Sequence, residues 1–180
     1  MKTIFTLSIA ILLISRVRLW CEHARIVDAG PVTSVDYSPD GTMLLTCTAS
    51  RVTIWERSTK QILFVHTTTN SKFAKFSTDS PSTYIAISSA NSDITIISAV
   101  SPFGSIQTFN AGHGGALAAH MDFASATMLV TCGGTNNKLR AWDVSANPAT
   151  MSLDTTVAQI FTCAALSTTQ IGTGASNNKL

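Results

Sequence analysis

From Gly30 onward, apolar and polar residues alternate in short runs separated by turn residues, the period of strands and not of helices. Val32-Thr33-Ser34-Val35-Asp36-Tyr37 is the first such run. It meets Ser38-Pro39-Asp40-Gly41, a turn in which Pro presets φ and Gly accepts a positive one. Residues 43–48 predict a second strand, 51–55 a third and 61–65 a fourth. Runs this short, joined by turns this tight, pair as antiparallel neighbours. No helical period of useful length competes anywhere in the chain.

The same order then returns. Residues 73–76 lead through the turn 77–81 to 84–88 and 93–97. A third pass has 117–123, 128–132 and 138–143, and a fourth begins with 157–164 and 169–174. Trp55 and Ile97 lie 42 residues apart, and Ile97 and Trp142 lie 45 apart. Asn-Asn-Lys-Leu at 136–139 recurs at 177–180, an offset of 41. A period of roughly 40 to 45 residues carrying four strands is the arithmetic of propeller blades. The expected fold is therefore all-β, a β-propeller of four-stranded antiparallel blades at about 28–65, 66–109 and 110–153, with partial blades at 1–27 and 154–180.

Two stretches resemble the WD40 repeat. Residues 47–56, Cys-Thr-Ala-Ser-Arg-Val-Thr-Ile-Trp-Glu, preceded by Tyr37-Ser38-Pro39-Asp40-Gly41, look like one copy whose last Asp is Glu. Residues 131–143, ending Leu139-Arg140-Ala141-Trp142-Asp143 and with Gly112-His113 upstream, look like a fuller one. The resemblance implies a hydrogen-bonded tetrad of His113, Thr131, Asn136 and Trp142, with Asn136 standing where the family has an acid and so pulling less on the histidine. In the blade ending at Trp55 the matching positions read as Ala29 or Gly30 and Ala49, which predicts no tetrad there. Ile97 stands in place of tryptophan in the blade between, which leaves that blade to apolar packing.

The first residues allow two readings. Lys2 precedes an apolar run from Ile4 to Ile14 that is long enough for the core of an export signal. Against that, Arg16-Val17-Arg18-Leu19-Trp20 offers no small-residue cleavage site, and the run is short of the roughly 20 residues a spanning helix needs. Arg16-Val17-Arg18-Leu19-Trp20 also parallels Arg51-Val52-Thr53-Ile54-Trp55. A pair of strands is the favoured expectation, and a targeting segment over residues 1–15 of a secreted or membrane-tethered β-rich domain is the alternative. The terminal partial blades point to a larger propeller ahead of a small ring in which residues 4–21 complete the blade begun at 157–180.

Composition sharpens the picture. Hydrophobic residues make up 45 % of the 180, while charged residues make up only 12 %, against roughly 25 % in ordinary domains. Twelve basic and ten acidic side chains leave a net charge of +2, too small and scattered to draw a phosphate backbone. Cys21, Cys47, Cys132 and Cys163 are widely spaced, with no CxxC, and read as reduced, buried, apolar residues.

Candidates for chemistry are few. His113 and His120 with Asp122 form an incomplete zinc set. The glycines at 112–115 and 133–134 do not lead from a strand into a helix, as a phosphate-binding loop must. The expectation is no enzyme, no metal and no cofactor. The family resemblance implies a scaffold that mediates protein–protein interaction within a larger complex, cytoplasmic or nuclear. Its partners would be other proteins, further blades or a partner chain for closure, and neither nucleic acid nor membrane. Partner-binding turns are expected at Ser50, Arg51, Asn91, Asp93, Asn137 and Lys138. Arg51 and Lys138 stand out as isolated charges on a charge-poor surface.

Overall fold

The computed structural model describes residues 30–114, 120–133, 135–156, 160–165, 167 and 169–175. The strands expected at residues 4–27, 117–119, 157–159 and 177–180 lie outside the described residues. Within them, three four-stranded antiparallel meanders follow one another. The first holds β1 (Val32–Tyr37), β2 (Met43–Thr48), β3 (Arg51–Glu56) and β4 (Ile62–Thr67). The second holds β5 (Phe73–Phe76), β6 (Tyr84–Ser88), β7 (Asp93–Ser98) and β8 (Ser105–Asn110). The third holds β9 (His120–Phe123), β10 (Met128–Gly133), β11 (Lys138–Asp143) and β12 (Thr150–Thr156). A two-stranded sheet follows, β13 (Ile160–Ala165) with β14 (Ile171–Ala175). The first strand of each sheet adjoins the first strand of the next, and the fourth strand lies outermost. This is a β-propeller arrangement of four-stranded antiparallel blades.

Middle strands are apolar on both sides, and the second and third sheets are each packed between two others. Leu45, Cys47, Val52 and Ile54 of the first sheet meet Phe76, Ile85, Ile87 and Ile97 of the second. The opposite side of the second sheet, with Ala86, Ile94 and Ile96, meets Met121, Phe123, Leu129 and Trp142 of the third. Val130, Cys132, Leu139 and Ala141 then face the fourth sheet, where Ile171 packs on them. Alternation along one strand thus fills two interfaces.

The recurring serine–acid turn has a local cause. Ser38 Oγ donates to Asp40 Oδ1 at 2.6 Å and accepts the Met43 N–H at 2.9 Å, while Asp40 Oδ1 accepts the Thr42 N–H at 3.0 Å. Ser77 and Asp79 repeat this, Ser77 Oγ accepting the Thr83 and Tyr84 N–H groups at 3.1 and 3.0 Å. Short polar side chains here close a turn that the backbone alone leaves open. In all three complete sheets the third and fourth strands slip register at one equivalent place, between Ile54 and Trp55, Ile96 and Ile97, and Ala141 and Trp142. Such a bulge adds local twist where the bulky residue enters the core.

Polar links join neighbouring sheets. At the inner edge, Ser34 Oγ accepts the Ala74 N–H at 3.1 Å and Asp36 Oδ2 accepts the Phe76 N–H at 2.9 Å. At the outer edge, Gln107 of β8 reaches the loop before β12. Its Nε2 donates to Val144 O at 2.9 Å and Ala146 O at 2.8 Å, and its Oε1 accepts the Ala149 N–H at 2.7 Å. Gln107 is buried, so truncation leaves three backbone groups seeking partners. Gln107→Ala is expected to cost about 2 kcal/mol, read as a lower urea midpoint at unchanged slope.

Candidate functional site

The polar cluster richest in chemistry-bearing groups sits where the approach to β9 meets β10 and β11. His113, on the segment after β8, is fully buried. Its Nε2 shares a hydrogen bond of 2.8 Å with Thr131 Oγ1 on β10, the donor set by the imidazole tautomer. Trp142 on β11 donates its indole N–H to the same oxygen at 2.9 Å. Thr131 and Trp142 reach each other because β10 and β11 pair with Leu129 opposite Trp142, which places Thr131 diagonally across. Thr131 is fully buried, so this oxygen serves two ring nitrogens in a dry site.

Asn136 is not joined to the imidazole by its side chain. Its Nδ2 donates to Gly112 O at 2.6 Å, and its Oδ1 accepts the Lys138 N–H at 3.3 Å. Among the described residues, His113 Nδ1 has no partner at hydrogen-bond geometry. An amide can hold the turn on both sides in this way because it carries donor and acceptor together.

Gly112 and Gly114 bracket the histidine for steric reasons. Both have φ near +65°, at 64° and 69°. A Cβ on Gly112 would stand 2.6 Å from Arg140 Nη1, and one on Gly114 would stand 2.8 Å from Thr135 Oγ1. Arg140 donates Nη1 to Ala111 O, and its Nη2 lies 3.4 Å from Asp154 Oδ2. Lys138 Nζ meets the other oxygen, Oδ1, at 3.1 Å. Lys138 is therefore not the isolated charge that its sequence context suggests. Pairing of β11 with β12 sets Arg140 opposite Asp154, so one carboxylate faces both cations of the strand.

Burial and the Arg140 charge push the His113 pKa down to about 4, with Asp154 and the Lys138 backbone acting weakly the other way. The imidazole is neutral at pH 7. An unfolded chain takes this proton near 6.5 and the folded one only near 4, so the unfolded state binds more protons between those values. Stability is then full above about pH 6.5 and falls by about 2–3 kcal/mol as pH drops toward 4. Burial lowers the pKa of His66 as well, which adds to the effect. Urea midpoints of a His66→Asn chain at pH 7.5 and 5 isolate the His113 share, and equal stability at the two pH values would contradict it.

The first sheet repeats the indole bond of this network. Trp55 Nε1 donates to Thr46 Oγ1 at 2.9 Å, although no tetrad is expected from Ala49. Strand register explains the shared bond. Leu44 pairs with Trp55 as Leu129 pairs with Trp142, which makes Thr46 the counterpart of Thr131, while Ala49 stands two residues before β3 as Asn136 stands two before β11. The matching words Leu45-Thr46-Cys47 and Val130-Thr131-Cys132 carried that signal. Cys47 and Cys132 are both buried and free. Arg140 and Asp154 were missed, because nothing in their local sequence marks a pair that only register brings together.

The turn residues lie at one end of the three sheets. Ser50 is exposed and Arg51 half-buried where β2 turns into β3. Asn91 is exposed at φ 62° before β7, and Asp93 accepts the Asn110 amide N–H at 2.7 Å. Asn137, at φ 51°, and Lys138 occupy the turn into β11. Elsewhere, His120 packs edge-on against Phe73 with ring centroids 4.7 Å apart. Among the described residues no group of three His, Cys, Asp or Glu side chains is placed to hold a metal ion. Among them, too, no helix is long and apolar enough to cross a membrane.

Comparison with known proteins places this geometry. The WD40 family model (WD domain, G-beta repeat) matches residues 16–56. No curated protein matches the chain. Among solved structures, the WD40 repeats of RRP9 align with a TM-score of 0.71 at 16 % identity, over 83 % of this chain and 46 % of that one. The structure of U3-55K aligns with a TM-score of 0.71 at 16 % identity, over 83 % and 47 %. The β-propeller domain of Cps50 (Swd1) from Myceliophteria thermophila gives 0.63 at 11 %, over 81 % and 50 %. The chain thus spans about half the length of the structures it matches.

Proposed function

We propose that this chain is a noncatalytic WD40-repeat scaffold that docks other proteins within a larger assembly. The carrying observation is the use made of its polar groups. His113, Thr131 and Trp142 are consumed in a buried network, and the serine–acid turns are consumed in closing loops. The surface assigned to recognition is the rim of turns entering β3, β7 and β11, with Ser50, Arg51, Asn91, Asp93, Asn137 and Lys138. Rigid strands beneath a row of short turns suit docking, where loops carry specificity and the sheets hold them in place.

A cytoplasmic or nuclear setting fits two buried thiols that are free and not paired. The length relation to its structural neighbours supports further blades, or a partner chain, as part of the working assembly.

Quantitative affinity capture tests the reading. Arg51→Gln combined with Lys138→Gln should lose the proteins held by the unaltered chain, at a cost to folding of about 1 kcal/mol for the half-exposed Lys138–Asp154 pair that is given up. Retention of the full set by the double variant would remove the rim from the account. A partner-independent hydrolytic or transfer activity that is lost on His113→Gln would overturn the noncatalytic reading.

A further inference from the structure

The turn after the third strand sets the first sheet apart from the other two. Arg57, Ala99 and Val144 stand at one equivalent place, where each N–H donates to the carbonyl of the residue before its sheet's second strand. The acceptors are Thr42, Thr83 and Thr127, at 2.8, 2.9 and 2.9 Å. Ala99 and Val144 are buried against a neighbouring sheet. Arg57 is exposed, and so is Lys60 three residues on. Residues 99–104 and 144–149 contain no cation, nor do the facing turns at 77–83 and 124–127. A feature that the fold required would recur in each repeat, so these two charges serve something other than folding.

The turns from β1 to β2 and from β3 to β4 bring both charges to one recess of about 400 Å³, lined by Gly41, Thr42, Glu56, Arg57, Ser58 and Lys60. The guanidinium is held in place there. Its Nη1 donates to Gly41 O at 3.2 Å, and its carbon lies 5.8 Å from the centre of the Tyr37 ring. Gly41, at φ 69°, admits this approach, since a Cβ there would stand 3.3 Å from Nη1. Lys60 Nζ donates to the Arg57 carbonyl, which draws the ammonium back over the same turn. Neither cation forms an ion pair among the described residues, unlike Lys75, Lys138 and Arg140. Among the described lining residues the one carboxylate, Glu56, accepts the Thr59 hydroxyl. Asp40 nearby is taken up by Ser38 and Thr42.

We propose that this recess binds a single phosphate group, free or as a monoester, between Arg57 and Lys60 with the Ser58 hydroxyl beside them. Each cation spends one donor on a carbonyl and keeps the rest for a ligand. A phosphate brings about two negative charges and three acceptor oxygens. It can meet the planar guanidinium, the ammonium and a hydroxyl together, whereas a carboxylate has a single charge to share among them. No adjoining turn repeats the cations, so the site takes one phosphate and not the row of them in a nucleic-acid backbone. Alternate turns of a meander fall at opposite ends, which sets this recess at the far end of the first sheet from Ser50 and Arg51. The site is therefore separate from the docking rim.

The test is titration of the full chain, labelled with nitrogen-15, by inorganic phosphate, by O-phosphoserine and by acetate, followed amide by amide. Both phosphates should shift the amides of residues 41–42 and 56–61 in a saturable way, and acetate should leave them in place. Arg57→Gln and Lys60→Gln should each weaken phosphate binding by roughly tenfold, the loss of one charge-assisted hydrogen bond, with amides elsewhere unmoved. Tighter binding of O-phosphoserine assigns the site to an ester, and tighter binding of the free ion assigns it to phosphate itself. No shift at these two turns, equal shifts with acetate, or undiminished binding in both variants overturns the proposal.

Discussion

Thr131→Val is expected to lower folding stability by roughly 3 kcal/mol. Valine keeps the branched shape and most of the volume, so the cavity term is small. What it removes is the single oxygen that holds the Trp142 indole N–H and bonds the His113 imidazole. Both rings stay buried, and His113 Nδ1 has no partner at hydrogen-bond geometry among the described residues, so the imidazole would lose its Nε2 bond with nothing described to replace it. A buried polar group without a partner costs about 1–3 kcal/mol, and here two are created. Thr46→Val is the internal comparison. It strips the Trp55 indole of its acceptor and should cost at least about 1 kcal/mol. Urea denaturation measures both, and a Thr131→Val chain within about 0.5 kcal/mol of the unaltered one would show that the network contributes nothing.

Gly112→Ala is expected to be comparably damaging, at about 2–4 kcal/mol, for a different reason. The residue sits at φ 64°, which costs an alanine about 1 kcal/mol or more. Its new Cβ would also fall 2.6 Å from Arg140 Nη1. Flexible arginines often step aside, but this one is held by Ala111 O and by Asp154. Displacing it strips the buried Ala111 carbonyl of its donor. A double-mutant cycle separates the two causes. In an Arg140→Ala background only the φ cost should remain, so the penalty for Gly112→Ala should fall to about 1 kcal/mol. An undiminished penalty there would remove Arg140 from the explanation.

Why some of this was readable from the chain and some was not follows from where each residue sits. Strands β2, β3, β6, β7, β10 and β11 announce themselves, because packing on both sides demands runs such as Ile94–Ile97 and Leu129–Cys132. Outer strands β8 and β12 do not. In β12 six of seven residues are exposed, so no alternation is required of them, and Thr150–Thr156 reads as loop. The Gly-His and Trp-Asp words pick out His113 and Trp142 through local sterics and strand order. Asn136 shows the limit of that reading. Its position in the turn could be taken from the sequence, but its preference for Gly112 O and the Lys138 N–H over the imidazole depends on side-chain reach. Arg140 and Asp154 lie 14 residues apart with a bulge between them, and only the β11–β12 register makes them partners.

Hydrogen exchange of the backbone amides, followed by peptide mass mapping, tests most directly whether the blades stand stacked on their middle strands with the network buried between them. Amides of β2, β3, β6, β7, β10 and β11 should exchange slowest, together with the segment carrying Ala111 and His113, while β4, β8 and β12 exchange well before them. Uniform fast exchange across the chain, or outer strands protected as well as the middle ones, would contradict the stacked arrangement on which the docking rim depends.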